Sequence, residues 1–217
     1  MTKSQLIFFS HYLEELFPDA KAELDFTNHF ELIVAVVLSA QTTDIAVNKV
    51  TKELFKKYPT PNDLMHADIQ DVMRLIQSIG LYKTKAKNII ELSRLLVINH
   101  QGVVPSERKD LESLPGVGRK TANVVLSNAF GIPALAVDTH ILRISKRLGL
   151  ADESDDAYQT EMKLNQLFDQ SMWHKLHHQL IFFGRYHCKA LKPNCDVCQM
   201  KDVCKYYKNT YLKPLKA

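Results

Sequence analysis

Leu111-Glu-Ser-Leu-Pro-Gly-Val-Gly-Arg-Lys-Thr-Ala-Asn-Val-Val-Leu126 reads as helix, tight turn and helix. Pro115 stops the first helix, and Gly116 and Gly118 permit a turn with positive φ. The second helix starts at once, with Ala122, Val125, Leu126 and Ala129 spaced to pack on one side. At such a turn the first N–H groups of the second helix have no carbonyl partner, and they stand at the positive end of the helix dipole. That suits a phosphate. Only the backbone of Gly116, Val117 and Gly118 would touch the anion, so a nucleic acid held here would be bound with little regard for sequence. The plainer reading is an αα-corner with a glycine C-cap.

Helical spacing dominates on both sides of this stretch. Residues 4–16 place Leu6, Phe9, Leu13 and Leu16 on one stripe, and residues 28–39 are almost wholly apolar, as in a helix buried all round. Further helices are predicted over 44–57, ended by Pro59 and Pro61, and over 68–78 from an Asp68 N-cap. Others are expected over 84–99, from Ser106 to 113, and over 119–130, 139–148, 155–170 and 172–185. Hairpin signals of the Asn-Gly type are absent. The expectation is an all-α protein of two helical domains: residues 21–132, and a discontinuous one of 1–20 with 133–217.

All four cysteines, Cys188, Cys195, Cys198 and Cys204, lie in the last quarter with spacing C-x6-C-x2-C-x5-C. Two disulfides packed this closely would close small strained loops, and nothing suggests secretion. Structural zinc sites favour two C-x2-C knuckles, whereas here only Cys195 and Cys198 form one. The wider arcs suit a cubane [4Fe–4S] cluster with four cysteine ligands, and zinc remains the rival.

The formal net charge is +4. From Cys188 onward seven lysines face only Asp196 and Asp202, so the positive charge gathers around the cysteine loop, as an anionic partner would require. The longest apolar run, Leu32 to Leu38, is far short of a membrane span. The N-terminal Leu6-Ile7-Phe8-Phe9 is followed at once by His11, Glu14 and Glu15, which makes an amphipathic helix and no export signal. The cytoplasm is the expected compartment. His174, His177, His178 and His187 do not share one helical face and read as ordinary histidines.

Leu114-Pro-Gly-Val-Gly-Arg-Lys-Thr-Ala-Asn-Val-Val resembles the helix–hairpin–helix of the endonuclease III family of DNA glycosylases. Ala136-Val-Asp-Thr-His-Ile, Leu38-Ser-Ala-Gln-Thr-Thr-Asp44, Gly80-Leu-Tyr-Lys-Thr-Lys-Ala86 and the cysteine loop match further family segments, in order, over about residues 26–208. The resemblance implies one [4Fe–4S] cluster per chain. It also implies a six-helix barrel domain, a cluster domain, and damaged double-stranded DNA bound in the cleft between them by a monomer. It assigns catalysis to Lys120 and Asp138. From local sequence alone Lys120 is a nucleophile for Schiff-base chemistry or a phosphate contact, and Asp138 an N-cap.

A base cannot be reached inside a duplex and must be flipped out. By resemblance Gln41 fills the gap and Leu81 wedges into the opposite strand. Lys83, Lys85 and Lys87 flank the Leu81 loop and suit phosphates, as do Lys189 and Lys192 between the first two cysteines. The implied activity is excision of oxidised pyrimidines, followed by strand cleavage 3′ to the abasic site by β-elimination. One rival is the adenine-excising branch, which lacks the hairpin lysine and needs a carboxylate near residues 33–43; Leu32 to Thr43 holds none. Another is a non-enzymatic helix–hairpin–helix DNA-binding module, which gives no reason for Lys120 and Asp138 to occur together.

Overall fold

The computed structural model describes residues 1–212; residues 213–217, which carry Lys213 and Lys216 of the basic tail, lie outside the described residues. The described chain is helical, with no strand among those residues. It forms two compact units, one of Glu23–Ile132 and one in which Met1–Ala22 joins the chain from Pro133 onward.

The Glu23–Ile132 unit is built round α2 (His29–Leu38), whose Leu32, Ile33, Val34, Ala35 and Leu38 are fully buried. Asn28 starts it by accepting from the Glu31 N–H at 3.0 Å. This helix packs on α3 (Asp44–Lys57), α6 (Tyr82–His100) and α8 (Arg119–Phe130). Burying each such leucine or isoleucine contributes about 1.5–3 kcal/mol, which is why the run carries no polar face. Between α3 and α6 lie α4 (Pro61–Met65) and α5 (Ile69–Leu75), and α7 (Arg108–Glu112) precedes α8.

Several boundaries differ from expectation; the helices expected over 68–78 and 155–170, for example, span only Ile69–Leu75 and Ala157–Leu167. Pro61 does not end a helix but begins α4, where its missing N–H costs nothing; Thr60 and Asp63 form a capping box around it. Ser106 does not cap α7, whose N-cap is Glu107 with no side-chain cap bond. Finally, α6 starts at Tyr82, two residues early, because Leu81 takes a left-handed backbone and serves as its N-cap.

In the other unit α1 (Lys3–Leu16) buries Leu6, Phe9, Tyr12 and Leu13. These meet α9 (Thr139–Leu148), α10 (Ala157–Leu167) and α11 (Trp173–Phe182) in one core with Ile141, Ile144, Leu164, Leu176 and Phe183. The Phe9 and Phe183 rings meet edge to face at 5.6 Å. After Phe182 the helix widens into a π turn over Phe183–His187, which delivers the chain to Cys188. A side chain at Gly184 would lie 2.8 Å from His140 Cβ and 2.9 Å from Ile144 Cδ1, so glycine lets this turn press on α9. His177, His178 and His187 are buried, and His177 Nδ1 lies 2.9 Å from the Ala136 carbonyl oxygen.

Candidate functional site

The turn between α7 and α8 is set by its own sequence. Gly116 has φ +81°, and a Cβ there would stand 2.9 Å from Val37 Cγ1 and 3.0 Å from Asn88 Nδ2. Glycine is therefore required twice, for the left-handed backbone and for the close approach to α2 and α6. The Val117 N–H closes the turn on the Leu114 carbonyl at 3.0 Å, and the side chains of both residues are buried. Gly118 is the N-cap of α8 and is exposed, with open space where a Cβ would point and no side chain capping the helix end. Arg108 of α7 hydrogen-bonds Asn123 of α8 and holds the two helices together. Lys120 stands exposed in the first turn of α8.

Asp138 is the N-cap of α9, and its Oδ1 accepts from the Ile141 N–H at 2.8 Å. The approach through Ala134, Leu135, Ala136 and Val137 is buried, while Asp138 itself is half-buried. The carboxylate is thus fixed by one oxygen with its residue still partly open to solvent. His140 follows in the first turn of the helix; burial lowers its pKa, and the Asp138 charge pulls it partly back up.

Gln41 and Leu81 sit close together within the first unit. A methyl group at Gly80 would lie 3.9 Å from the Gln41 carbonyl oxygen. Both are exposed and both have left-handed backbones, with φ 54° at Gln41 and 58° at Leu81. For non-glycine residues this conformation costs roughly 1–2 kcal/mol each. Lys83 and Lys87 are exposed beside this loop. Lys85 differs from expectation: it is only 4% exposed, and its Nζ donates to Thr42 Oγ1 at 2.8 Å. Its place on α6, four residues before Ile89 and seven before Leu92, puts it on the buried face, which periodicity could have revealed.

Cys188, Cys195, Cys198 and Cys204 line a single pocket with Leu148 and Phe183. No disulfide joins them. Burial pushes up the thiols of Cys198, Cys204 and Cys195, the last to about 11, with the neighbouring cysteines adding repulsion. Buried thiols such as these three, with Cys188 beside them, are what a multivalent cationic centre would convert to thiolates. Among the described residues no three His, Cys, Asp or Glu side chains converge closely enough to hold one metal ion.

Two residues that the motif reading passed over hold the cysteine loop. Arg143 Nη2 donates to the carbonyls of Gly184 at 2.8 Å and Cys188 at 3.1 Å. Arg147 donates to the carbonyls of Lys189 at 2.7 Å and Ala190 at 3.0 Å, lies 3.5 Å from Cys188 Sγ, and stacks on Tyr206. Their i, i+4 spacing on α9 was the available signal. Lys189 and Lys192 remain exposed on the loop, Lys192 with φ 48°.

A family model described as "HhH-GPD superfamily base excision DNA repair protein" matches residues 34–170. Endonuclease III of Bacillus subtilis (strain 168) is 49% identical over 201 residues, spanning 93% of this chain and 92% of that one. This chain belongs to the endonuclease III family. Endonuclease III of Escherichia coli (strain K12) is 45% identical over 206 residues, covering 95% and 97% of the two chains. A trapped endonuclease III–DNA covalent intermediate superimposes with a TM-score of 0.93 at 49% identity, over 96% of this chain and 98% of that one. As a member of this family, the chain is a base excision repair enzyme, a DNA glycosylase and abasic-site lyase, and the adenine-excising and non-enzymatic readings are not favoured.

Proposed function

We propose that this enzyme excises oxidised pyrimidines from duplex DNA, and that Lys120 and Asp138 carry both halves of the reaction. The observation that bears the reading is Lys120 itself, an exposed amine in the first turn of the helix that leaves the glycine turn. The amine attacks C1′ of the damaged nucleotide as the base departs. The Asp138 carboxylate, fixed by its bond to the Ile141 N–H, stabilises the developing sugar cation and takes up a proton from Lys120. The sugar ring then opens at the C1′–O4′ bond, O4′ taking a proton, to give a Schiff base; this acidifies the C2′ proton, whose loss breaks the C3′–O3′ bond, expels the 3′ phosphate and cuts the strand on the 3′ side.

The turn of Gly116, Val117 and Gly118 holds a phosphate through the N–H groups of Gly116 and Gly118, the Val117 N–H being taken by the Leu114 carbonyl; Lys83, Lys189 and Lys192 contact further phosphates. Gln41 fills the space left by the flipped base, and Leu81, 59% exposed although apolar, enters the opposite strand. An exposed leucine on a strained loop tip contributes nothing to the core, which favours a role in contact with a partner.

A [4Fe–4S] cluster held by Cys188, Cys195, Cys198 and Cys204 fits the donor set: four soft thiols line one pocket, the number and kind of ligand that such a cluster takes. Held by those four cysteines, the group would supply a scaffold for the loop and no chemistry on the substrate. The family resemblance implies a monomer, and the bacterial relatives point to the cytoplasm; no helix of the described residues is long and apolar enough to cross a membrane.

The test is excision, lesion by lesion, by purified protein. Release of oxidised pyrimidines from duplex DNA, without release of adenine from a mispair, supports the reading. Adenine release would assign the chain to the rival branch.

A further inference from the structure

We propose that Lys85 is a positioning residue that locks together the two loop tips entering the DNA stack, those of Gln41 and Leu81. This rests on the assignment of those two residues given above, and it adds a part that the assignment does not contain.

Lys85 is linked to both tips at once. Its backbone N–H donates to the Leu81 carbonyl at 3.0 Å, and its Nζ donates to the hydroxyl of Thr42, the residue after Gln41, at 2.8 Å. The Thr42 side of the link is itself braced: its N–H donates to the Ser39 carbonyl at 3.0 Å, and its hydroxyl lies 3.3 Å from the Ala40 carbonyl oxygen. One side chain therefore spans from the first turn of α6 to the end of the turn that follows α2.

The chemistry of the link is unusual for a core position. An ammonium group removed from water costs several kcal/mol unless an opposite charge compensates it, and leucine or methionine would fill the same space more cheaply. Here the partner is a neutral hydroxyl, and burial alone drives the group toward its neutral form. The return for this cost lies in geometry. Gln41 and Leu81 hold left-handed backbones, at φ 54° and 58°, which persist only where the surroundings hold them. A tie between the two loops keeps both tips in mutual register, so that a base can be replaced from one strand and its partner displaced from the other in one motion. A phosphate strand lying over the loops brings the counter-charge that the buried ammonium lacks, which tightens the tie in the complex.

The test compares abasic-site cleavage in duplex and in single-stranded DNA. Single-stranded substrate has no base stack to open, so it needs the chemistry and not the two tips. Lys85→Met removes the charge, Thr42→Val removes the acceptor, and Thr42→Ser keeps it. The duplex-to-single-strand rate ratio should fall roughly tenfold in Lys85→Met and Thr42→Val, the scale of one hydrogen bond to a charged group, and stay at the wild-type value in Thr42→Ser. An unchanged ratio overturns the proposal, as does an equal loss on both substrates in folded Thr42→Val protein. Wild-type protein inactive on both substrates overturns the functional reading, and the proposal with it.

Discussion

Asp138 shows how one residue serves two purposes. Its sequence context supports an N-cap, and the bond from the Ile141 N–H at 2.8 Å is that cap. Capping leaves the second carboxylate oxygen for other work. Asn caps helices about as well as Asp, so Asp138→Asn separates the two roles. Thermal melting should move little, while single-turnover base release should fall by about 10²–10³, the range for losing one pre-placed electrostatic group in an active site. Equal losses of stability and activity would make Asp138 a cap alone. The residue scale is also where sequence was least informative. Lys83, Lys85 and Lys87 look alike by residue type, and only the spacing of Lys85 from Ile89 and Leu92 tells that the helix turns it into the protein. No local signal announces that Gln41 and Leu81 take left-handed backbones, because neither is a residue type that favours it.

At the scale of elements, sequence was a good guide wherever a cap and a periodic apolar face agreed. The bounds of α3, α8 and α9 fall at the expected residues, with Thr43 or Asp138 as N-cap, or Gly131 or Gly149 as left-handed C-cap. It was a poor guide where two signals competed. Pro61 can stop a helix or start one, and only the Thr60–Asp63 capping box decides. The hairpin carries the sharpest prediction at this scale. Gly116→Ala meets both a φ of +81° and a contact of 2.9 Å with Val37 Cγ1, so it should destabilise the Glu23–Ile132 unit by on the order of 2 kcal/mol. Gly118→Ala meets open space at φ −98° and should cost far less. Urea denaturation of the pair checks this; equal midpoints would show that the turn is not held by packing on α2 and α6.

For the whole molecule, the mixed origin of one unit, from the N-terminal helix and the chain after Pro133, follows from the apolar stripe of α1. Its Phe9, Tyr12 and Leu13 have no core of their own and are covered by residues far along the chain. The same core buries His178, whose pKa burial lowers to about 3, with His177 and His174 adding repulsion. Unfolding frees that imidazole to bind a proton near its ordinary value of about 6.5, so below this pH the unfolded chain binds more protons. Stability from this group is therefore complete above about 6.5 and is lost as pH falls toward 3. Denaturation midpoints at pH 7.5 and 5.5 should show the decline, and His178→Gln should flatten it.

The cysteine loop offers a second global check, because metal binding and folding of a short loop are coupled. Purified protein should contain iron and sulfide and absorb broadly near 400 nm, and Cys195→Ser should lower soluble yield; stoichiometric zinc without iron would contradict the cluster. The central claim, however, is that Lys120 is the nucleophile of a glycosylase and lyase. Borohydride added to wild-type protein on an abasic duplex should trap a covalent protein–DNA adduct, and Lys120→Gln, similar in length but without the amine, should yield none. An adduct that still forms, and a strand still cut, with Lys120→Gln protein would contradict the account.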